Sequence, residues 1–176
     1  MKFVPMRLPG AHLVEPQQIT DDRGFFARIY CREEFEAYGL NTAVAQCSIS
    51  FNERVGTLRG MHYQRQPCAE AKLVRCTNGA IYDVILDLRP ESPTFKRWEG
   101  VELSAKNRRA VYVPEGFAHG FLTLTEGAEV FYQISEAFHA EYSVGVRWND
   151  PAFGIVWPAT IAVISERDRT YSDFGA

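Results

Sequence analysis

The chain reads as an all-β protein, a sandwich or small barrel of short strands with a few short helices. Three observations point there. Short apolar runs are broken at regular intervals by Gly, Pro and Asn. Helical periodicity is scarce. Thirteen Gly, nine Pro and 13% aromatic residues suit a fold made of strands and tight turns.

In chain order, residues 32–38 form one short helix candidate, ended by Gly39. Residues 55–64 make one strand and 72–77 the next. Asn78-Gly79 follows as a hairpin turn signal, and residues 80–88 continue directly from it. Further strands are expected at 100–103, 110–113, 120–124 and 129–134, and a helical turn or two near 165–170. No repeat, low-complexity segment or linker-like shift divides the 176 residues, so residues 1–176 are expected to form one domain.

Composition narrows the function classes. Hydrophobic residues make up 46% and charged residues 23%, which argues against disorder, collagen-like repeats and coiled coil. The formal charge of -3 lacks the basic excess of a nucleic-acid binder, although a local cluster of Arg and Lys can still hold a phosphate. The cysteines, at 31, 47, 68 and 76, form no CxxC pair and are expected to be free thiols in a reducing compartment. The N-terminus shows no signal-peptide pattern, and no stretch approaches the roughly 20 apolar residues of a membrane span. A soluble, cytoplasmic protein without membrane partners is expected.

Side chains alternate between the two faces of a strand. In residues 55–64, Leu58, Gly60, His62 and Gln64 share one face, and Thr57, Arg59, Met61 and Tyr63 the other. Lys72 shares a face with Val74 and Cys76, Tyr132 with Val130 and Ile134, and His119 with Phe121. A His, a Lys and a Tyr thus stand at apolar parity on separate strands. A single inward His or Tyr is ordinarily a satisfied core residue, but Lys is almost never buried unpaired. Together the three point to a polar cavity, because buried polar groups need partners or water.

Pro114-Glu115-Gly116-Phe117-Ala118-His119 has the PxGxxH form of the second cupin motif. The first motif would need HxH, but Gln64 stands where its second His belongs, and Glu70 is only loosely placed for its carboxylate. His12 and His139 fall in loop-like contexts. A transition-metal site needs a fuller donor set, so no metal is expected. His62 is then free to act as a general base near neutral pH.

At this point the chain resembles a known family, the nucleotide-sugar 3,5-epimerases acting on dTDP-4-dehydro-6-deoxyhexoses (the RmlC-like cupins). The resemblance lies in Asp22-Arg23-Gly24-Phe25-Phe26, Leu58-Arg59-Gly60-Met61-His62-Tyr63-Gln64, Lys72-Leu73-Val74-Arg75 and Val113-Pro114-Glu115-Gly116-Phe117-Ala118-His119-Gly120-Phe121. It continues in Asp83-Val84, Asp87-Leu88-Arg89, Ser92-Pro93-Thr94, Arg147-Trp148-Asn149-Asp150-Pro151 and Ile164-Ser165-Glu166-Arg167-Asp168-Arg169.

The resemblance implies a cupin-type jelly roll with no metal and no cofactor. It also implies a homodimer in which an N-terminal segment reaches the partner's site. His62 resembles the base that removes a proton beside the keto group, and Asp168 the carboxylate that pairs with it. Lys72 resembles the group near the keto oxygen, and Tyr132 the acid on the opposite face of the sugar. Arg59, Arg23 and Gln46 resemble nucleotide-diphosphate contacts, with Arg23 and Phe26 donated by the partner subunit. Arg167 matches a basic position facing phosphate. His119 is a further substrate-facing candidate, with Asp83 as its possible partner.

These residue types suit the chemistry. Inverting a carbon beside a ketone passes through an enolate, whose oxygen needs preorganised positive charge. Proton removal needs a base that titrates near neutral pH, and return from the other face needs a separate acid. Arg gives bidentate, permanently charged contacts to phosphate.

Three departures loosen the substrate. Ala27-Arg28 follows the Arg-Gly-Phe-Phe segment where a Glu is usual. Gln46-Cys47-Ser48-Ile49-Ser50 replaces the QDNHS pattern, and Phe138 stands where a Tyr is usual. The base is therefore open between dTDP- and CDP-linked 4-ketosugars, and the centre between C3, C5 or both. A related cupin ketoisomerase and a non-catalytic sugar-nucleotide-binding cupin remain as alternatives.

Overall fold

A computed structural model describes residues 1–175. Its elements run β1 (Lys2–Pro5), β2 (His12–Glu15), β3 (Gln18–Asp21), β4 (Gly24–Ala27), α1 (Arg32–Glu36), β5 (Gln46–Asn52), β6 (Thr57–Gln64) and β7 (Lys72–Asn78). They continue with β8 (Ala80–Asp87), β9 (Trp98–Ser104), β10 (Ala110–Val113), β11 (Phe117–Thr123), β12 (Ala128–Ile134), β13 (Ser143–Gly145), β14 (Val163–Ile164) and α2 (Glu166–Arg169).

Two sheets face each other as a jelly roll. One has the order β1-β2-β10-β7-β12-β5, and the other β13-β6-β11-β8-β9 with β14 parallel to β6. β3 and β4 pair only with each other, as a hairpin. Between the sheets, Val74, Ile81, Ile85, Leu103, Val111, Phe117, Phe121 and Val130 form the core. Each such fully buried side chain contributes about 1.5–3 kcal/mol. The outer face of the first sheet is covered by Phe35 of α1 packing on Phe3, Val14, Leu73 and Tyr112. The outer face of the second carries Met61, Val84, Leu86 and Phe153.

The all-β expectation holds, but several local expectations do not. Asn78-Gly79 is not a hairpin turn. β7 and β8 lie in different sheets, so the dipeptide is the corner where the chain crosses between them. Gly79 adopts φ +71°, and a Cβ there would stand 2.3 Å from Thr125 Oγ1, which explains the residue type without any hairpin. The first helix stops at Glu36 rather than 38, because Gly39 turns the chain with φ +67° and its N–H donates to Glu36 O. His12 lies in β2, not in a loop.

A fourth difference shapes the site. Strict alternation along residues 55–64 puts Arg59 on the face opposite His62. In the structure both line one cavity. The register of β6 against β11 shifts between the pairs His62–His119 and Arg59–Phe121, so a bulge inserts one extra residue. Gly60 occupies it with φ +129°, and a Cβ there would lie 2.5 Å from Gly120 Cα.

Candidate active site

A cavity of about 640 Å³ opens between the sheets, within the range of small-molecule sites. One sheet supplies Arg59 and His62 from β6 and His119 from β11. The facing sheet supplies Gln46, Ser48 and Ser50 from β5, Lys72 from β7 and Tyr132 from β12. Arg167 and Asp168, from α2, close one side.

His62 is half-exposed to the cavity, and its Nε2 lies 2.6 Å from Asp168 Oδ1. Asp168 is buried, and its other oxygen accepts from the Gly60 N–H at 3.2 Å. Its own N–H donates to Ser165 Oγ, the N-cap of α2, at 3.1 Å. Burial pushes the Asp168 carboxyl up. The hydrogen bond and charge of His62, with the Gly60 and Ser165 donors, more than offset this and hold it below the usual carboxylate range. The carboxylate is therefore ionised, takes the Nε2–H, and leaves Nδ1 as the basic atom.

Lys72 is buried, with Nζ 2.8 Å from Glu70 Oε1 and donating to the main-chain oxygen of His62 at 3.4 Å. His119 stands opposite His62 in the β6–β11 register, and its Nε2 lies 2.7 Å from Asp83 Oδ2. Both side chains are buried, and Asp83 Oδ1 has no hydrogen-bond partner. The Tyr132 ring meets the His119 ring edge to face at 6.0 Å. Desolvation in the cavity wall pushes the Tyr132 phenol well above its usual value, the Asp83 carboxylate adds to this, and Arg59 opposes it. A phenol so held stays protonated at neutral pH and can donate.

Arg59 Nε donates to Asn52 Oδ1 at 2.8 Å, and its Nη groups make one hydrogen bond, to Phe51 O at 3.4 Å. Arg167 Nη2 donates to Ser143 O and Oγ at 3.2 and 3.3 Å. Gln46 Oε1 accepts from the Phe138 N–H at 3.2 Å, and Phe138 is exposed at the rim. The sequence candidates His62, Asp168, Lys72, Tyr132, His119, Gln46, Arg59 and Arg167 thus meet in one cavity. Arg23 and Phe26 do not. They project from the β3–β4 hairpin into solvent, where Arg23 pairs with Asp21 at 2.5 Å and Phe26 is 71% exposed.

Gln64, at the position where a metal-binding cupin would have its second His, clasps two loops instead. Its Nε2 donates to Cys68 O and Ala137 O, and its Oε1 accepts from the His139 N–H. Among the described residues, no three His, Cys, Asp or Glu side chains cluster in a way that could hold a metal ion. Sequence reading did not place Ser48 and Ser50 in the site, because β5 turns its polar residues inward and its apolar Ile49 and Phe51 outward, and it weighed Glu70 only as a metal ligand.

The chain is similar to known proteins over nearly its whole length. The model of the dTDP-4-dehydrorhamnose 3,5-epimerase family matches residues 5–175. The dTDP-4-dehydrorhamnose 3,5-epimerase of Pseudomonas aeruginosa is 44% identical over 171 residues, covering 96% of this chain and 93% of that protein. The crystal structure of the Bacillus anthracis dTDP-4-dehydrorhamnose 3,5-epimerase, with TDP and PPi bound, superimposes with a TM-score of 0.94 at 43% identity, covering 98% of this chain and 99% of that one. A 3'-monoepimerase from Streptomyces bikiniensis, in complex with dTDP-quinovose, superimposes at 0.85 with 38% identity, covering 93% and 83%. With the motifs, the jelly roll and near full-length similarity in agreement, the chain belongs to the dTDP-4-dehydrorhamnose 3,5-epimerase family.

Proposed function

We propose that the protein inverts C3, C5 or both in a nucleotide-linked 4-keto-6-deoxyhexose of the dTDP-4-dehydro-6-deoxyglucose type, as a step of deoxysugar biosynthesis. One observation carries this reading: the base and the acid come from facing sheets. His62 projects from β6 and Tyr132 from β12, so a flat enolate held between them meets a proton acceptor on one side and a donor on the other.

His62 Nδ1 takes the α-proton, and Asp168 stabilises the imidazolium. The ammonium of Lys72 carries the charge that develops on the keto oxygen. Tyr132 returns a proton from the opposite side, which inverts the centre. The reaction is a pair of proton transfers, so it calls for no redox group. Arg59 and Arg167 supply the fixed positive charge that a diphosphate needs.

Arg23 and Phe26 complete the site from a second copy of the chain. The solvent-facing apolar residues Ile19 and Phe26 on the hairpin, and Ile49 and Phe51 on the edge strand β5, support a homodimer, because such edges otherwise invite uncontrolled pairing. Mixing inactive Arg23→Ala and His62→Ala chains should restore part of the activity if sites are shared between subunits.

The direct test of the reaction is incubation with dTDP-4-dehydro-6-deoxyglucose in deuterated water, followed by NMR. Exchange at both C3 and C5 supports double epimerisation. Absence of exchange despite binding contradicts the epimerase reading for that substrate. A mono-epimerase is the second reading, favoured by Phe138 at the cavity rim and by the similarity to the Streptomyces bikiniensis 3'-monoepimerase. Exchange at one carbon only identifies it.

A further inference from the structure

We propose that Glu70 is a positioning residue that orients the Lys72 ammonium toward the substrate's keto oxygen. This rests on the epimerase reading above, in which Lys72 carries the enolate charge. Glu70 and Lys72 form an ion pair at 2.8 Å in the cavity wall, with each side chain only 9% exposed.

The Glu70 carboxylate lies against the Lys72 ammonium at 2.8 Å as an ion pair, and one of the three ammonium N–H groups donates to the main-chain oxygen of His62 at 3.4 Å. Held by charge on one side and by a hydrogen bond on another, the flexible four-carbon stem keeps its head in one place and leaves further N–H donors for the cavity. That is what stabilising charge on one developing oxyanion requires.

Glu70 is itself held for this task. It lies in the segment leading into β7, two residues before Lys72 and therefore at the same parity. Between them, Ala71 is locked to the end of β12: its N–H donates to Ser135 Oγ at 2.8 Å, and its carbonyl accepts from the Ser135 N–H at 3.0 Å. The backbone that carries both Glu70 and Lys72 is therefore fixed by hydrogen bonds to the end of β12. The contact to His62 O also ties the ammonium to the strand that carries the base, so oxyanion donor and base keep a set separation.

The test compares wild type, Glu70→Gln and Glu70→Ala in the deuterium-exchange assay, with dTDP affinity measured in parallel as a check on folding. Gln keeps an acceptor oxygen for Lys72, and Ala keeps none. Glu70→Ala should lower kcat for exchange by about tenfold or more, in line with loss of an aligned oxyanion donor, with KM changed by no more than about twofold. Glu70→Gln should recover most of that loss, and both variants should bind dTDP as wild type does.

The proposal is overturned if Glu70→Ala exchanges at the wild-type kcat, if Glu70→Gln is as impaired as Glu70→Ala, or if dTDP binding falls together with activity. If wild type itself shows no exchange, the epimerase reading fails. Reductive methylation of Lys72, read by mass spectrometry, then decides the pairing alone. Faster labelling in Glu70→Ala than in wild type supports it, and equal labelling overturns it.

Discussion

Replacing Asp168 by Asn removes one negative charge beside the base while conserving the number of heavy atoms. Asp168 has two oxygens with two tasks: Oδ1 meets His62 Nε2 at 2.6 Å, and Oδ2 accepts the Gly60 N–H at 3.2 Å. Asn has one oxygen. If it accepts from Gly60, its NH₂ faces His62 and forces the tautomer that puts the proton on Nδ1, the atom that must receive the substrate proton. If it accepts from His62, its NH₂ meets the Gly60 N–H, donor against donor, and the imidazolium still lacks its counter-charge. A hydrogen bond to a charged group contributes about 1.5–3 kcal/mol. With about 1.4 kcal/mol per factor of ten, kcat should fall about 10- to 150-fold. The assay is single-turnover deuterium incorporation at saturating substrate, with dTDP affinity as control. A variant within about threefold of the wild-type kcat would refute the pairing argument, since about 0.7 kcal/mol is too little for a charge-assisted bond.

The same geometry makes further outcomes testable. Tyr132→Phe should leave α-proton exchange measurable while epimer formation falls about 10²- to 10⁴-fold, the ordinary contribution of a positioned acid; NMR of the product reads both. Gly60→Ala places a Cβ 2.5 Å from Gly120 Cα at φ +129°, so urea unfolding should show a loss of about 1–3 kcal/mol. Asp87 is buried and accepts from Arg89, Ser92 and Thr94; burial pushes its carboxyl up, but these donors outweigh that and hold it at about 2. A folded value below the unfolded one stabilises the protein above about pH 4, and the effect is lost as pH falls toward 2. Asp87→Asn should therefore lower stability by about 2 kcal/mol at pH 7, and the gap to wild type should close between pH 5 and 2 in chemical denaturation.

How much of this was legible in the sequence depended on whether local pattern and tertiary placement agreed. β7, β8 and β12 carry apolar alternation toward the core, and their positions and the inward Lys72 and Tyr132 could be read directly. β5 reverses the usual polarity. Gln46, Ser48 and Ser50 face the cavity, while Ile49 and Phe51 face outward, so a rule that puts apolar residues inside finds no strand there. The four-residue strands β1 to β4 are too short to show a period. The bulge at Gly60 is a tertiary event, set by the close approach of Gly120 on β11, and nothing local announces that it turns Arg59 onto the face of His62. The dyad joins residues 106 positions apart, so motif resemblance could suggest it but periodicity could not. Asn78-Gly79 has the composition of a hairpin and serves as a corner, because a positive-φ turn suits either use.

The proposed removal of the proton beside the keto group by His62 is tested most directly by His62→Ala. Deuterium uptake from solvent into dTDP-4-dehydro-6-deoxyglucose is followed by NMR for wild type and variant at equal occupancy, with dTDP affinity measured on both. Exchange should disappear in His62→Ala while dTDP affinity stays near the wild-type value, because the proposed diphosphate contacts, Arg59 and Arg167, are unchanged. Exchange in His62→Ala at a rate near that of wild type would contradict that role for His62.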